Sequence, residues 1–466
     1  MPPFLASALW LVMLVALLHF DPAKRFKISP ALWVPVIWLF IIGSRLPSQW
    51  LGMGITDGPA AQSMQEGNAV DSTTYSILIL LAIVILVSRS FQWANFFSRN
   101  VALVAFLCFA LLSVCWSDFP FVTFKRWFRD LGNYLVILVA LSDSRPLEAV
   151  SALLRRFSYL LISLSVLLIK YYPQDSIIYS AYTGAPEYIG ATTSKNMLGV
   201  LCLISGIFFF WDTLTRWSER KDRRTKRILL VNALFIAMTV WLLHLSSSTT
   251  SALCLALGCL IIGTSRSKTV KRRPALLTVT IPVSICLYLV LAFVFGIDIN
   301  ASLASAVGKD PTLTGRTVIW SAVLSTHTNP LIGAGYETFW LGPRLEQVWR
   351  QTGPGINEAH NGYLELYLNL GIVGLLLLVA FLTSSYRSIC RRLDTLPSLG
   401  SLSLALWTIL PFYNVTEAAF KGQLIFITFL LGAIIVPRTS GIRSNSQPKR
   451  STFEKPPSQL REIVSA

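Results

Sequence analysis

The chain has few charged residues for its length. Asp, Glu, Lys and Arg make up 14% of the 466 residues, whereas a soluble domain carries about 25%. Hydrophobic residues make up 53%, and apolar runs long enough, or nearly so, to cross a bilayer recur from end to end. Alternating strands of about ten residues, typical of outer-membrane barrels, are absent. The composition therefore predicts an all-α polytopic membrane protein.

Motifs for nucleotide and metal chemistry are also absent. The sequence contains no GxxxxGK[ST] loop, no dinucleotide fingerprint and no DxD-like pair in its large polar loop. The four histidines form no HExxH pattern. Nearly all of the seven cysteines lie within apolar runs or at their ends, without CxxC spacing. We therefore expect no metal and no cofactor, and neither ATP-driven transport nor metal-dependent sugar-nucleotide chemistry.

The basic residues indicate the topology. A net charge of +17 could suggest nucleic acid, but the basic residues lie in short loops between apolar runs. Lys plus Arg number 29 in one set of alternate loops and 10 in the other. The richer set is predicted to be cytoplasmic, with the N-terminus outside; if one weak span is wrong, the count is 12 and one end flips. The thirteen spans are predicted at 4–20, 30–44, 73–88, 101–116, 130–142, 157–172, 196–211, 228–245, 250–264, 275–296, 362–383, 398–413 and 422–436.

Two further regions follow from this topology. Residues 1–436 are predicted to form the transmembrane domain, with one large periplasmic loop at 297–361 that carries short helices. Residues 437–466 are rich in Ser, Pro, Lys and Arg, and are predicted to be a disordered cytoplasmic tail.

The large loop contains the first candidate site residue. Thr314–Thr326 reads as a short helix with Trp320, Val323 and Leu324 on an apolar side suited to the membrane surface. Arg316 lies at its start, where an arginine and backbone N–H groups favour an anion. The alternative is an arginine that reaches lipid phosphate.

A polar stripe follows the loop, in EAHNGYLELYLNLGIVG. Asn361, Glu365 and Asn369 recur at a spacing of four, which aligns them on one face of a helix in an otherwise apolar run. Polar groups within a span are costly and usually functional. His360 precedes them at the water boundary and can accept a proton from a hydroxyl. Its alternative role is a hydrogen bond at the start of the span.

Other external cations break the positive-inside bias. Arg126 and Arg129 share a helical face in SDFPFVTFKRWFRD, and Lys195 stands alone in TTSKNMLG. They could make the outer mouth cationic and suited to a phosphate-bearing ligand, although lipid headgroup binding explains Arg126 and Arg129 equally well. Glu417 is an external acid, and Lys421 at a spacing of four could pair with it.

Three segments resemble a known family. GRTVIW, NPLIGAGYETF and EAHNGYLELYLNLGIVGLLLL resemble the signature of O-antigen ligases and Wzy-type polysaccharide polymerases. WSDFPFVTFKRW and TTSKNMLG are similar to the upstream marks of the ExoQ-like exopolysaccharide-polymerase branch. The resemblance spans roughly residues 110 to 430.

The resemblance implies a metal-independent glycosyltransferase of the bacterial inner membrane, with its site facing the periplasm. Such enzymes move a glycan from undecaprenyl diphosphate to a sugar hydroxyl. Arg316 and His360 match the family's loop arginine and essential histidine. Ligases often carry a second arginine where this chain has HLSSSTTSALC, so Lys195 or Arg126 is the candidate second cation.

Three functions remain open at this point. The first hypothesis is a polymerase of lipid-linked repeat units, in which Asn361 and Glu365 are expected to bind sugar hydroxyls. Its expected partners are membrane lipid and the chain-length and export proteins of the same pathway. The second is a ligase that passes finished glycan to another acceptor. The third is a polysaccharide transporter or flippase, motivated by polar residues within a span.

The topology is testable by labelling. With native cysteines removed, Ser302→Cys should react with an impermeant thiol reagent in intact cells and Ser458→Cys should not, because the charge bias places them on opposite sides. Labelling of Ser458→Cys alone would reverse the topology.

Overall fold

The computed structural model describes residues 1–53, 67–179, 184–267, 270, 275–293 and 314–436, and these form a bundle of α-helices. The predicted all-α polytopic class is confirmed. Helices of the first half are α1 (Pro3–His19), α2 (Trp33–Ile42), α3 (Pro47–Trp50), α4 (Ala69–Ser88), α5 (Trp93–Arg99), α6 (Val101–Leu112), α7 (Pro120–Leu141), α8 (Pro146–Tyr171) and α9 (Pro173–Ser176). Those of the second half are α10 (Lys195–Arg216), α11 (Arg223–Ser246), α12 (Thr249–Ser265), α13 (Ala275–Phe293), α14 (Thr314–Leu324), α15 (Gly342–Thr352), α16 (Gly362–Thr395), α17 (Pro397–Thr416) and α18 (Leu424–Ala433).

One pair of short strands interrupts the helices. β1 (Ile177–Tyr179) pairs antiparallel with β2 (Pro186–Tyr188), and Ile178 lies opposite Glu187. The sequence reading did not predict this pair. It lies between α9 and α10 and brings Glu187 close to the start of α10.

Every predicted span falls on a helix, but the helices differ in length. Seven are long and apolar enough to cross a membrane alone, among the residues that the structure describes. α5 and α6 form a further pair bent by 94°, and α18 has only 10 residues. The count of 12 or 13 spans therefore stays a prediction. Residues 297–313 of the large loop and the tail 437–466 lie outside the described residues.

Burial divides the bundle into a centre and a periphery. α8, α10 and α17 are the central helices; in α17, every residue from Gly400 to Thr416 except Phe412 is buried. α1 and α11 are peripheral and direct most of their apolar side chains outwards, as expected where lipid tails cover the surface. The centre is tied together by a buried ion pair between Arg155 and Asp212, 2.7 Å apart.

The large loop forms a small core of its own. α14 and α15 bury Val323, Phe339 and Leu345 in a second apolar cluster that also includes Leu368 of α16. The side of α14 predicted to lie on the membrane surface is therefore partly turned inwards: Val323 is buried, Trp320 is half-buried, and only Leu324 of the three is exposed. This loop packs onto the start of α16.

A break in α16 fixes that packing. We expected one uninterrupted helix over 362–383, but Gly371 has φ 62° and ψ −164°, outside the helical region. A break at Gly371 prevents two consecutive helical hydrogen bonds between backbone C=O and N–H groups. Because lipid offers no hydrogen-bond partners, these freed groups of a membrane span need partners in the protein. The loop segment NPLIGAG supplies them.

Two backbone N–H groups of the loop donate to the freed carbonyl groups. Ala334 N donates to Leu368 O at 3.0 Å, and Gly335 N donates to Asn369 O at 2.9 Å. In an unbroken helix these oxygens would accept from the amides four residues later.

The freed amide groups are bound in the same way. Ile372 N donates to Pro330 O at 3.0 Å, and Val373 N donates to Leu331 O at 3.1 Å. The loop therefore completes both sides of the break, and the large loop cannot move away from α16 without losing four hydrogen bonds.

Gly371→Ala should dislodge the loop. Its φ favours glycine, and an added Cβ would lie 2.3 Å from the Leu331 carbonyl group. We expect a loss of roughly 2 kcal/mol or more in stability, seen as a lower thermal midpoint of the purified protein in detergent. Gly263→Ala is the matched control, because nothing lies within 4 Å of a Cβ there; it should be neutral or stabilising by about 0.5–1 kcal/mol. Equal midpoints for the two variants would contradict this role for the break.

Candidate functional site

Glu417 lies where four distant segments meet. Its Oε1 accepts from Asn196 Nδ2 of α10 at 3.1 Å and lies 3.3 Å from Arg316 Nη2 of α14. Its Oε2 lies 3.7 Å from His360 Nδ1, in the turn before α16. Glu417 itself follows the last residue of α17. The two residues predicted to carry catalysis, Arg316 and His360, therefore face the same carboxylate.

The turn that carries His360 is held by its neighbour. Asn361 caps α16: its side-chain oxygen accepts from the backbone N–H groups of Tyr363 and Leu364, both at 3.0 Å. Its Nδ2 donates to Val415 O at 3.2 Å. His360 adopts φ 48° immediately before the cap. The cap therefore fixes the His360 turn against the end of α17, two residues before Glu417.

A second carboxylate approaches the histidine from its own turn. Glu358 Oε1 lies 3.2 Å from His360 Nδ1, and Glu358 Oε2 lies 3.5 Å from Lys421 Nζ. Lys421 also lies 3.8 Å from Glu365 Oε1. The structure thus pairs Lys421 with Glu358 and Glu365 instead of the expected Glu417.

The polar stripe of α16 holds the loop. Glu365 is buried, and its two oxygens accept from Trp340 Nε1 at 2.8 Å and Ala359 N at 2.9 Å. Asn369 Oδ1 accepts from Phe339 N at 3.1 Å. These partners explain why a span carries such costly groups. The expected role of Asn361 and Glu365 in binding sugar stays a prediction.

The other predicted cations lie in different surroundings. Arg126 donates to the backbone oxygen of Glu337, and Arg129 Nε lies 3.2 Å from Asp130. Both line a cavity of about 200 Å³ whose lining includes neither Arg316 nor His360. Lys195 Nζ pairs with Glu187 at 2.7 Å.

The segment without the expected arginine lies beside the cluster. It forms the turn between α11 and α12, where Ser247 has φ 51°. Thr250 Oγ1 is 2.9 Å from the hydroxyl of Thr416, the residue before Glu417. The segment in which the family resemblance predicts a second arginine for ligases thus carries hydroxyl groups here and contacts the residue before Glu417.

The charges around His360 favour its protonated form. Burial lowers the pKa of the imidazole, but the carboxylates of Glu417 and Glu358 raise it more, and Arg316 opposes them. The net result is a pKa above the ordinary 6.5. The raised pKa makes the neutral imidazole of His360 a stronger proton acceptor than an ordinary histidine.

Folding also creates a cluster that sequence spacing did not predict. Ligand atoms of Glu358, His360 and Glu417 lie within 4.8 Å of one another, close enough for a metal ion on distance alone. However, Arg316 already faces Glu417 and Lys421 already faces Glu358. We therefore interpret the cluster as a network of ion pairs.

Sequence reasoning missed three members of this network: Asn196, Glu358 and Glu417 as the central group. Asn196 lies next to Lys195 in TTSKNMLG, and Glu358 lies two residues before His360 in EAHNGYLELYLNLGIVG. Sequence spacing indicates Glu417 only as a partner for Lys421. The available signal was its position as an acid at the outer end of a predicted span.

Comparison with known proteins tests the family resemblance. Residues 233–379 match the model of the O-antigen ligase family. The predicted family resemblance is thereby confirmed, and the matched segment contains both Arg316 and His360. The chain is also 25% identical over 306 residues to the exopolysaccharide production protein ExoQ of Rhizobium meliloti (strain 1021). That match covers 62% of this chain and 65% of the relative, slightly less than two thirds of its length.

Proposed function

We propose that this protein is a glycosyltransferase that polymerises undecaprenyl-diphosphate-linked oligosaccharide repeat units into exopolysaccharide. The observation that carries the proposal is the convergence of Arg316 and His360 on Glu417, within and beside the segment that matches the O-antigen ligase family. The charge bias of the loops supports a site at the periplasmic face of the inner membrane.

The reaction needs a base and a cation. The hydroxyl oxygen of the acceptor sugar attacks the anomeric carbon, and the bond from that carbon to the diphosphate oxygen breaks. The diphosphate leaves with the electron pair, while the hydroxyl proton passes to His360. Arg316 holds the diphosphate, whose negative charge grows as it leaves. A guanidinium group suits two phosphate oxygens because its N–H groups form a planar fork.

Two alternatives remain, with different support. A ligase would use the same groups, and the name of the matched family favours it; similarity to an exopolysaccharide production protein favours the polymerase. A transporter was motivated by Glu365 and Asn369 within a span. Their hydrogen bonds to Trp340 and Phe339 account for them without a translocation path.

Reconstitution in liposomes separates the three functions. With lipid-linked repeat units, no nucleotide and EDTA present, we expect the purified protein to lengthen the glycan, because Arg316 supplies the charge that a metal would otherwise provide. Transfer only after addition of a separate glycan acceptor would indicate a ligase. Substrate crossing without a new glycosidic bond would indicate a transporter, and activity lost in EDTA and restored by one divalent cation would refute the metal-free mechanism.

Variants at the two residues test their roles. His360→Gln should lower turnover at saturating donor at least about a hundredfold, since glutamine cannot accept the proton. Arg316→Ala should lose about 10²–10³ in turnover, and Arg316→Lys should recover only part of it. His327→Gln and Arg350→Ala change exposed residues of the same loop and should retain normal rates. Near-normal turnover in His360→Gln would exclude its role as base.

A further inference from the structure

Glu417 lies between Arg316 and His360, and each of its two carboxylate oxygens faces one of them. Its Oε1 is engaged by Arg316 at 3.3 Å and by Asn196 at 3.1 Å. Its Oε2 lies 3.7 Å from His360 Nδ1, too far for a hydrogen bond. The residue is 8% exposed, so its charge depends on these neighbours more than on water.

The histidine has an unused donor position on the same side. His360 Nδ1 is buried, and no atom of the described residues meets hydrogen-bond geometry with it. Glu358 and Glu417 are the two carboxylates that approach it. A buried nitrogen of this kind is costly to leave unpaired, so a small movement of Glu417 towards His360 would be favourable if Arg316 no longer held the carboxylate.

The diphosphate of a bound donor would compete with Glu417 for the guanidinium group of Arg316. A diphosphate brings more negative charge than a carboxylate and offers several oxygens to the guanidinium group. Arg316 presents a single contact of 3.3 Å to Glu417, which a diphosphate can replace. Glu417 would then keep Asn196 as a hydrogen-bond donor and have one charged neighbour less.

We propose that Glu417 couples donor binding to activation of His360: the diphosphate takes Arg316 from Glu417, and the released carboxylate pairs with Nδ1 of His360. This inference rests on the proposed function. Glu417 is a positioning residue in it, because it touches neither reacting atom. A carboxylate on Nδ1 orients the ring, leaves Nε2 to accept the hydroxyl proton and stabilises the imidazolium that forms. The base would thus be strongest only when the donor is in place.

The coupling has a signature in pH dependence. The charged groups facing His360 are Glu358 from its own turn, Glu417 from the end of α17 and Arg316 from α14, with Lys421 next to Glu358. Arg316 opposes protonation of His360, and Glu417 favours it. When the diphosphate neutralises Arg316 and frees Glu417, the pKa of His360 should rise. The acidic limb of kcat should therefore lie at higher pH than that of kcat/KM.

Glu417→Gln and Glu358→Gln form a matched pair of variants. Glu417→Gln should lower kcat about tenfold or more, because His360 loses the carboxylate that would pair with its Nδ1. It should also lower the donor KM about fivefold, because the diphosphate no longer competes with a carboxylate for Arg316. It should also narrow the gap between the two acidic limbs. Glu358→Gln removes a carboxylate that lies 3.2 Å from His360 Nδ1, closer than Glu417 at 3.7 Å, and whose ion pairs among the described residues are with His360 and Lys421. Both acidic limbs should therefore move to lower pH with the gap between them retained. A raised KM with unchanged kcat in Glu417→Gln, or an unchanged gap, would overturn the coupling.

A measurement without turnover checks the same step. The rate of diethyl pyrocarbonate modification of His360, followed by mass spectrometry of its peptide, reports the pKa of the ring. Undecaprenyl diphosphate should raise the midpoint in wild type and in Glu358→Gln, and raise it less in Glu417→Gln. If Glu417→Gln does not insert, Glu417→Asp serves, because it withdraws the charge by one methylene and should also reduce the rise. An equal rise in all variants would show that the ligand's own charge acts directly and would overturn the coupling.

Failure of this inference differs from failure of the proposed function. If Arg316→Ala and His360→Gln keep normal chain growth, the proposed mechanism itself is wrong. If those variants lose activity but Glu417→Gln behaves like Glu358→Gln in both pH experiments, only the coupling is wrong.

Discussion

The break in α16 is the constraint on which the rest of the site depends. A span that breaks in a membrane must find partners for its freed amide and carbonyl groups, because lipid offers none. Here the loop segment 330–335 provides them, with a glycine at Gly371 and another at Gly333 that allow the two backbones to touch. The loop that carries Arg316 is thereby registered against the helix whose first turn follows His360. Arg316 and His360, which are 44 residues apart in the sequence, are thereby held close together in space.

Ion pairing adds the second level of organisation. Basic and acidic side chains alternate along the site, from Arg316 through Glu417 and the imidazole of His360 to Glu358 and Lys421. Glu417 is buried and the other four side chains are half-buried, so each charge depends on its partners and each position restricts its neighbours. A negatively charged substrate that enters such a chain redistributes the pairing beyond the residue it touches. The network would then respond to a bound charge as well as position the two proposed catalytic groups.

The sequence predicted what local chemistry determines. Apolar runs located the long helices of the bundle but not the short helices α3, α5, α9 and α15. Motif chemistry singled out Arg316 and His360. It did not predict the break at Gly371, because one glycine in an apolar run is common in helices and its partner loop lies about forty residues away. It also misjudged Lys421, since a spacing of four suggested Glu417, whereas the chain turns between them. Backbone hydrogen bonds to a distant loop decide the first feature and long-range pairing of charges decides the second, and no local sequence pattern indicates either.

The site is assembled from the ends of elements rather than from their middles. Asn196 lies at the start of α10, Arg316 near the start of α14, His360 just before α16, and Glu417 just after α17. Ends of helices carry free N–H and C=O groups and can shift without breaking a span. The same bundle can therefore be rigid in its buried centre, where α17 packs, and adjustable at the surface where the proposed lipid-linked substrate would enter and leave. A network that exchanges partners on substrate binding requires such a position, because in the packed interior a movement of even one carboxylate would open a void.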